Sequence, residues 1–151
     1  MGQTANDIAA LVLTRTFDAE PTRVFDAWLS KTWGDWAGPG PVRGEVVLME
    51  PKTGGRFRVV MHMPDGNSLT VGGIYREVSR PSKLVFTWKW EHEDTETLVT
   101  LSFRSAGSKT EMHFRHEGFA AETRRDSHRD GWTGTFDKLD THLAKSQAGR
   151  S

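Results

Sequence analysis

The side chains in this sequence with the clearest potential for binding chemistry are aromatic. Six tryptophans stand at positions 28, 33, 36, 88, 90 and 132 of a 151-residue chain, beside eight phenylalanines and one tyrosine. Each such ring buries roughly 150–250 Å² when it is enclosed, and small-molecule pockets are lined mainly by apolar and aromatic groups. Because the tryptophans are spread along the chain, a fold that gathers them would create either a filled aromatic core or an aromatic cavity.

The candidate ligand-binding residues come from the front of the chain, from strand-like runs in its middle and from a helical stripe near its end. Methionines are included because a flexible thioether adapts to varied shapes. His116 and Tyr75 could orient a ligand by hydrogen bonding, or they could be satisfied core or rim groups. The predicted set is Trp28, Trp33, Trp36, Phe57, Met61, Tyr75, Phe86, Trp88, Met112, Phe114, His116, Trp132 and Phe136.

Other kinds of site chemistry find little support in the sequence. The six histidines have no metal-ligand spacing and no HExxH motif occurs, so we predict no metal. Without cysteine or a G-x-S-x-G elbow, no nucleophile stands out. Glu45 or Glu77 could serve as an acid or base if buried, although surface ion pairing is the simpler interpretation. Asp126, His128 and Asp130 are interpreted as a solvated helix face. We therefore predict no catalytic residue and no cofactor.

Charge and hydropathy exclude some classes of partner. Twenty basic residues balance twenty acidic ones, so no net field favours nucleic acid or an anionic membrane. No segment is apolar enough to span a membrane, and residues 1–10 lack the pattern of a signal peptide. The absence of cysteine excludes disulfides, so the default expectation is a cytoplasmic protein. A monomer or a homodimer paired through an open sheet edge would both fit.

Periodicity predicts the elements that would position the rings. Alternation predicts a strand over 11–18 and helical spacing predicts a short helix from Pro21 to Leu29, with at most one more turn around Trp33 and Trp36. Turn residues such as those at 53–55 and 65–67 separate six further strands. These strands are predicted near 44–50, 55–63, 68–79, 83–91, 96–104 and 109–118, and a long helix is predicted over 122–145.

The side-chain pattern also predicts which faces are buried. The strands around Phe57, Trp88 and Phe114 each have one apolar and one charged face, whereas the first strand is ambiguous because Arg15 lies on the side of its leucines. A sheet with one wet face needs a cover on the other. The last helix offers one, since Trp132, Phe136, Leu139 and Leu143 form a stripe. Gly131 and Gly134 within that helix suggest close backbone packing or a bend. The prediction is a single α+β domain over 1–151, with an ordered core at about 10–145 and flexible termini.

Several short stretches, taken in order, resemble a known superfamily. They are Arg15–Ala19 with Val24–Trp28, Gly54–Phe57, Gly73–Val78, Lys83–Trp88, Val99–Phe103, Thr110–Phe114 with His116–Phe119, and Gly131-Trp132. They are similar to the START/birch-pollen-allergen (SRPBCC) superfamily and, more narrowly, to homologues of the activator of heat-shock protein 90 ATPase. The resemblance implies a helix-grip fold: a curved seven-stranded antiparallel sheet wrapped around a long C-terminal helix, with two short helices between the first two strands.

Three functions follow from these observations and remain open at this stage. The leading hypothesis is that an apolar or aromatic small molecule binds in a cavity between the sheet and the C-terminal helix. A second, implied by the resemblance alone, is a chaperone-interacting module of the heat-shock protein 90 ATPase activator type, with a role in the stress response. A third is a cyclase- or dehydratase-like enzyme that acts on a hydrophobic substrate, because fold does not fix function.

Overall fold

The computed structural model describes residues 8–148, with side chains described through Lys145. The element order is the predicted one. It comprises β1 (Leu11–Phe17), α1 (Pro21–Trp28), α2 (Trp33–Trp36), β2 (Arg43–Met49), β3 (Arg56–His62), β4 (Ser68–Ser79), β5 (Lys83–Trp90), β6 (Thr97–Ala106), β7 (Lys109–Glu117) and α3 (Glu122–Ala148). The last helix therefore continues past the predicted end at 145. The predicted flexibility of the termini concerns 1–7 and 149–151, which lie outside the described residues.

The seven strands form one antiparallel sheet in the order β1-β7-β6-β5-β4-β3-β2. From β2 to β7 each strand pairs with its neighbour in sequence, because the links are too short for anything but antiparallel hairpins. Two of the turns require glycine, since φ is +88° at Gly54 and +92° at Gly66. The exception to neighbour pairing is β1, which pairs with β7, so α1 and α2 carry the chain from one edge of the sheet to the other.

The structure resolves the ambiguity in the first strand. Leu11 and Phe17 are fully buried, whereas Val12 on the other side is 53% exposed. Arg15 shares the buried side, and its guanidinium meets the carboxylate of Asp137 on α3 at 2.7 Å. The inward arginine is tolerated because an acidic partner on the covering helix neutralises it at the rim of the core.

The long helix covers the apolar face of the sheet as predicted. Its stripe of Trp132, Phe136, Leu139 and Leu143 is at most 5% exposed. Close packing occurs at one of the two helical glycines: a Cβ on Gly134 would lie 2.6 Å from Cβ of Pro39. A Cβ on Gly131 would meet nothing within 4 Å.

Two short helices pack beside the C-terminal helix, α1 against β6 and β7, and α2 against β2 and α3. Pro21 stands in the first turn of α1, where its missing N–H costs nothing. Helical spacing then buries Val24, Phe25 and Trp28, and α2 buries Trp33 and Trp36.

Within residues 8–148 the structure contains no helix of the length and hydropathy that a membrane span requires.

Candidate ligand-binding site

A cluster of buried rings occupies the centre of the molecule. Trp28 is its hub, because five other rings lie within about 6 Å of it. They belong to Trp33 (6.0 Å), Trp36 (4.9 Å), Phe86 (6.1 Å), Trp132 (5.9 Å) and Phe136 (6.0 Å). These rings come from α1, α2, β5 and α3, so the cluster joins all the layers of the fold.

A cavity of about 310 Å³ lies beside this cluster, between α3 and strands β3 to β5. Its walls are mostly aromatic and aliphatic, with methionines on the sheet side. The lining residues are Trp33, Ala37, Gly38, Pro39, Val42, Met61, Met63, Leu69, Trp88, Trp90, His92, Arg124, Ser127, His128, Gly131, Trp132 and Thr135. The interior is thus filled on one side and hollow on the other.

The helix wall of the cavity combines small and large side chains. Ser127, Gly131 and Thr135 all line it, and they follow one another at intervals of four residues, which places them on one face of α3. This face is adjacent to the buried stripe that begins at Trp132. The cavity therefore lies beside a run of small residues on the helix, and Trp132 and His128 also border it.

The loop between α2 and β2 closes one end of the cavity. Residues 37–39 and Val42 line it, and the ammonium of Lys138 on α3 donates to the carbonyls of Val42 (2.6 Å) and Ala37 (3.3 Å). Partial burial lowers the pKa of Lys138 below its usual value. The loop is therefore fixed to the helix both by this cation and by the contact of Pro39 with Gly134.

Exposed residues mark the mouth of the cavity. Leu69 is 38% exposed, and His92 and Ser127 are also exposed while lining the same space. Arg124, near the start of α3, is half-buried there and donates to the carboxylate of Glu93 at 2.6 Å. The mouth is thus partly apolar, and the positive charge of Arg124 is already paired with the carboxylate of Glu93.

His128 forms part of the helix wall next to Trp90. The indole N–H of Trp90 donates to Nε2 of His128 at 3.0 Å. Since Nε2 accepts, Nδ1 carries the proton and donates to the carbonyl of Arg124 at 2.8 Å. Burial is the main reason that the pKa of His128 is lowered. The interpretation of 126–130 as a solvated face holds for the exposed Asp126 and Asp130 and is wrong for His128.

His116 is fully buried behind the cavity and bonded at both nitrogens. Trp132 donates its indole N–H to Nδ1 at 3.1 Å, so Nε2 carries the proton and donates to Oγ1 of Thr97 at 2.6 Å. The Thr97 hydroxyl in turn donates to the Trp88 carbonyl at 2.9 Å. Burial, followed by the nearby His128, lowers the pKa of His116 well below its ordinary value. This neutral histidine links β5, β6, β7 and α3.

Some buried donors find no hydrogen-bond partner among the residues that the structure describes. Two of them, the indole N–H groups of Trp33 and Trp88, belong to rings that line the cavity. The others belong to the ring cluster: the indoles of Trp28 and Trp36 and the hydroxyl of Tyr75. A buried donor without a partner costs free energy. The indole nitrogens of Trp33 and Trp88 are closed off from the cavity, although their rings border it.

The structure divides the residues predicted from the sequence into two groups. Trp33, Met61, Trp88 and Trp132 line the cavity. The others lie in the buried core next to it: Trp28, Trp36, Phe57, Tyr75, Phe86, Met112, Phe114, His116 and Phe136. The core group supports the cavity walls without contacting the space itself.

Sequence reasoning missed several residues of the cavity although signals for some were present. Met63 and Trp90 continue the inward faces predicted for their strands. His128 precedes Trp132 by four residues and so shares its helix face. Nothing in the sequence pattern distinguished the contributions of Ser127 and Thr135.

The carboxylates considered for acid or base chemistry lie elsewhere. Glu45 meets Nε2 of His62 at 3.0 Å, and Glu77 lies 3.7 Å from the ammonium of Lys83, all on exposed side chains. Across residues 8–148 no three histidine or acidic side chains come together as a possible metal site.

The architecture and the family comparison agree on the class of protein. A seven-stranded antiparallel sheet around a long C-terminal helix, with two short helices after the first strand, is the helix-grip fold of the START/birch-pollen-allergen (SRPBCC) superfamily. The model of one family, activator of Hsp90 ATPase homolog 1-like protein, matches residues 18–144. The chain belongs to this family.

Solved structures share the same fold. The AHSA1 protein from Silicibacter pomeroyi is 26% identical with a TM-score of 0.80, over 91% of this chain and 99% of that one. A protein from Arthrobacter aurescens is 18% identical with a TM-score of 0.84, over 92% and 88% of the two chains. A protein from Chromobacterium violaceum is also 18% identical, with a TM-score of 0.83 over 87% and 94%. No curated protein matches the chain significantly.

Proposed function

We propose that this protein binds an apolar or aromatic small molecule in the cavity between the sheet and α3. The observation that carries the proposal is a hollow of about 310 Å³ lined by four indoles and two methionines beside a filled core. Natural small-molecule pockets have volumes of about 300–1,000 Å³ and apolar walls with a few polar groups. This cavity has the size and lining of the smaller members of that class.

The proposal is tested by tryptophan fluorescence during titration with an apolar dye and a panel of lipids and polyketides. We expect a saturable change with at least one compound, because indoles form much of the wall. A panel without any saturable change would refute a preformed binding cavity.

Two variants on one strand provide a matched control for the location. Leu69 and Ile74 are both on β4 and both 38% exposed, but only Leu69 lines the mouth of the cavity. A carboxylate at the mouth should repel an apolar ligand, so Leu69→Glu should weaken binding severalfold while Ile74→Glu leaves it unchanged. Equal effects of the two substitutions would argue that the ligand binds elsewhere.

A chaperone-interacting module is the second candidate function. Its support is the matched family, described as activator of Hsp90 ATPase homolog 1-like protein, together with the adjacent Val47 and Leu48 on edge strand β2, which are 44% and 38% exposed. Exposed apolar side chains on a sheet edge are suited to docking. Co-elution with a heat-shock-protein-90-type chaperone and a change in its ATPase rate would support this candidate, and the absence of both would remove it.

A further inference from the structure

We infer that Gly131 determines the ligand specificity of this cavity, which we assign to aromatic molecules of about two fused rings. The inference rests on the proposed binding function and deepens it. Gly131 lines the cavity, and a Cβ built on it would contact nothing within 4 Å. Such open space is unusual beside a helix that packs on a sheet, because protein interiors are close-packed. The space beside Gly131 is therefore part of the cavity.

Small side chains continue on both sides of Gly131 along the helix wall. Gly131 is flanked one turn earlier by Ser127 and one turn later by Thr135, so three small residues follow one another there. The sheet contributes Met61 and Trp88 to the lining, which are nearly buried at 5% and 4% exposed. A side chain added at Gly131 would therefore reduce the space between the helix and these sheet residues.

The volume sets the size of the ligand. An apolar cavity of about 150 Å³ engineered into another protein accommodates benzene. The cavity here, at about 310 Å³, is about twice as large. Two fused aromatic rings would fit within this volume, and a side chain of leucine size at Gly131 would take up part of the same space.

The test measures the affinity for 2-naphthol by titration calorimetry in the wild type, in Gly131→Leu and in Thr133→Leu. Thr133 is exposed on α3 two residues away and does not line the cavity, so it is a matched control. We expect Gly131→Leu to lower the affinity at least fivefold and Thr133→Leu to leave it within twofold. A folded Gly131→Leu variant whose affinity falls less than fivefold would overturn the inference.

A measurement of unfolding stability and a second variant ensure that the test gives a clear result. Gly131→Leu should be at least as stable as the wild type, because leucine favours a helix over glycine and no atom obstructs its Cβ. Should Gly131→Leu fail to fold, Ser127→Leu at the exposed end of the same wall takes its place with the same fivefold criterion. Wild-type protein that binds neither 2-naphthol nor the wider panel would refute the proposed function itself, whereas binding that ignores both substitutions refutes only the role of Gly131.

Discussion

Trp132 on α3 donates its indole N–H to Nδ1 of His116 on β7 over 3.1 Å, at a site without solvent access to the imidazole. This bond connects the covering helix to the sheet at the back of the cavity. It also fixes the tautomer of the imidazole, because an indole nitrogen can only donate. A second bond between an indole and an imidazole lies one turn earlier along α3, where Trp90 on β5 donates to Nε2 of His128 at 3.0 Å. Both histidines are neutral mainly because burial lowers the pKa of each ring, and the indole donor occupies the nitrogen that a second proton would need.

Acidification should therefore destabilise the fold. The folded-state pKa values of His116 and His128 lie below the 6.5 of a free histidine, so the unfolded chain binds more protons as the pH falls below that value. The resulting stabilisation of the folded state is complete above about pH 6.5 and is lost as the pH falls towards the folded-state pKa values. Over that range the free energy of unfolding falls by up to about 1.4 kcal/mol per pH unit for each histidine. Urea unfolding between pH 7.5 and 5.0 would measure this slope.

The variant His128→Gln isolates one of these contributions. A glutamine carbonyl can still accept from Trp90 but does not titrate. The variant should show a shallower pH dependence than the wild type, because one titrating group is missing. Identical slopes would mean that His128 is not held neutral in the folded protein.

The fold was predictable from the sequence because its signals are local. The turn residues on either side of 68–79 predicted the bounds of β4, which is Ser68–Ser79 in the structure. The stripe from Trp132 to Leu143 likewise predicted the buried face of α3. These patterns need no knowledge of distant residues.

The division between cavity and filled core could not be predicted in the same way. It depends on which face of α3 lies against which strands, a tertiary relationship that spacing along one element does not contain. Phe86 and Trp88 share an inward strand face, yet only Trp88 lines the cavity. The rings of Trp28 and Trp33 pack against Phe86, whereas Trp88 packs against Trp132 of α3 and also borders the cavity that Gly131 lines.

The two glycines of α3 should respond in opposite ways to alanine. Gly131→Ala should raise the free energy of unfolding by about 0.5–1 kcal/mol, since the helix gains propensity and the added methyl meets nothing within 4 Å. Gly134→Ala places a Cβ 2.6 Å from Cβ of Pro39 and 3.1 Å from its Cα, so the loop or helix must shift and stability should fall. Urea unfolding of both variants measures the difference, and a stabilised Gly134→Ala would contradict the close packing.

Tyr75→Phe should leave the protein as stable or make it more stable. The Tyr75 ring is 2% exposed, packs 5.4 Å from Phe57, and its hydroxyl has no partner among the described residues. Burial also raises its pKa, which reflects the same lack of solvation. Removing an unsatisfied hydroxyl relieves a cost of about 1–3 kcal/mol. Thermal unfolding would measure this effect. Tyr75→Leu is the control, because it loses the ring packing and should be destabilised. A melting temperature of Tyr75→Phe below that of the wild type would show that the hydroxyl is satisfied.

Lys138→Met should loosen the loop that closes one end of the cavity. Methionine keeps most of the side-chain volume but removes the ammonium that donates to the carbonyls of Val42 and Ala37. Hydrogen bonds from charged groups contribute about 1.5–3 kcal/mol, and the partial exposure of this one places the expected loss of stability at about 1–2 kcal/mol.

The local effect of Lys138→Met distinguishes loop fixation from a general loss of helix stability. Amide hydrogen exchange at Ala37 and Val42, which donate to the carbonyls of Trp33 and Pro39, should accelerate, because local opening of the loop no longer breaks a bond to α3. Lys145→Met, on the exposed side of the same helix, serves as the control and should leave exchange in the loop unchanged. Acceleration confined to α3, with the loop amides still protected, would show that packing of Pro39 against Gly134 alone holds this wall of the cavity in place.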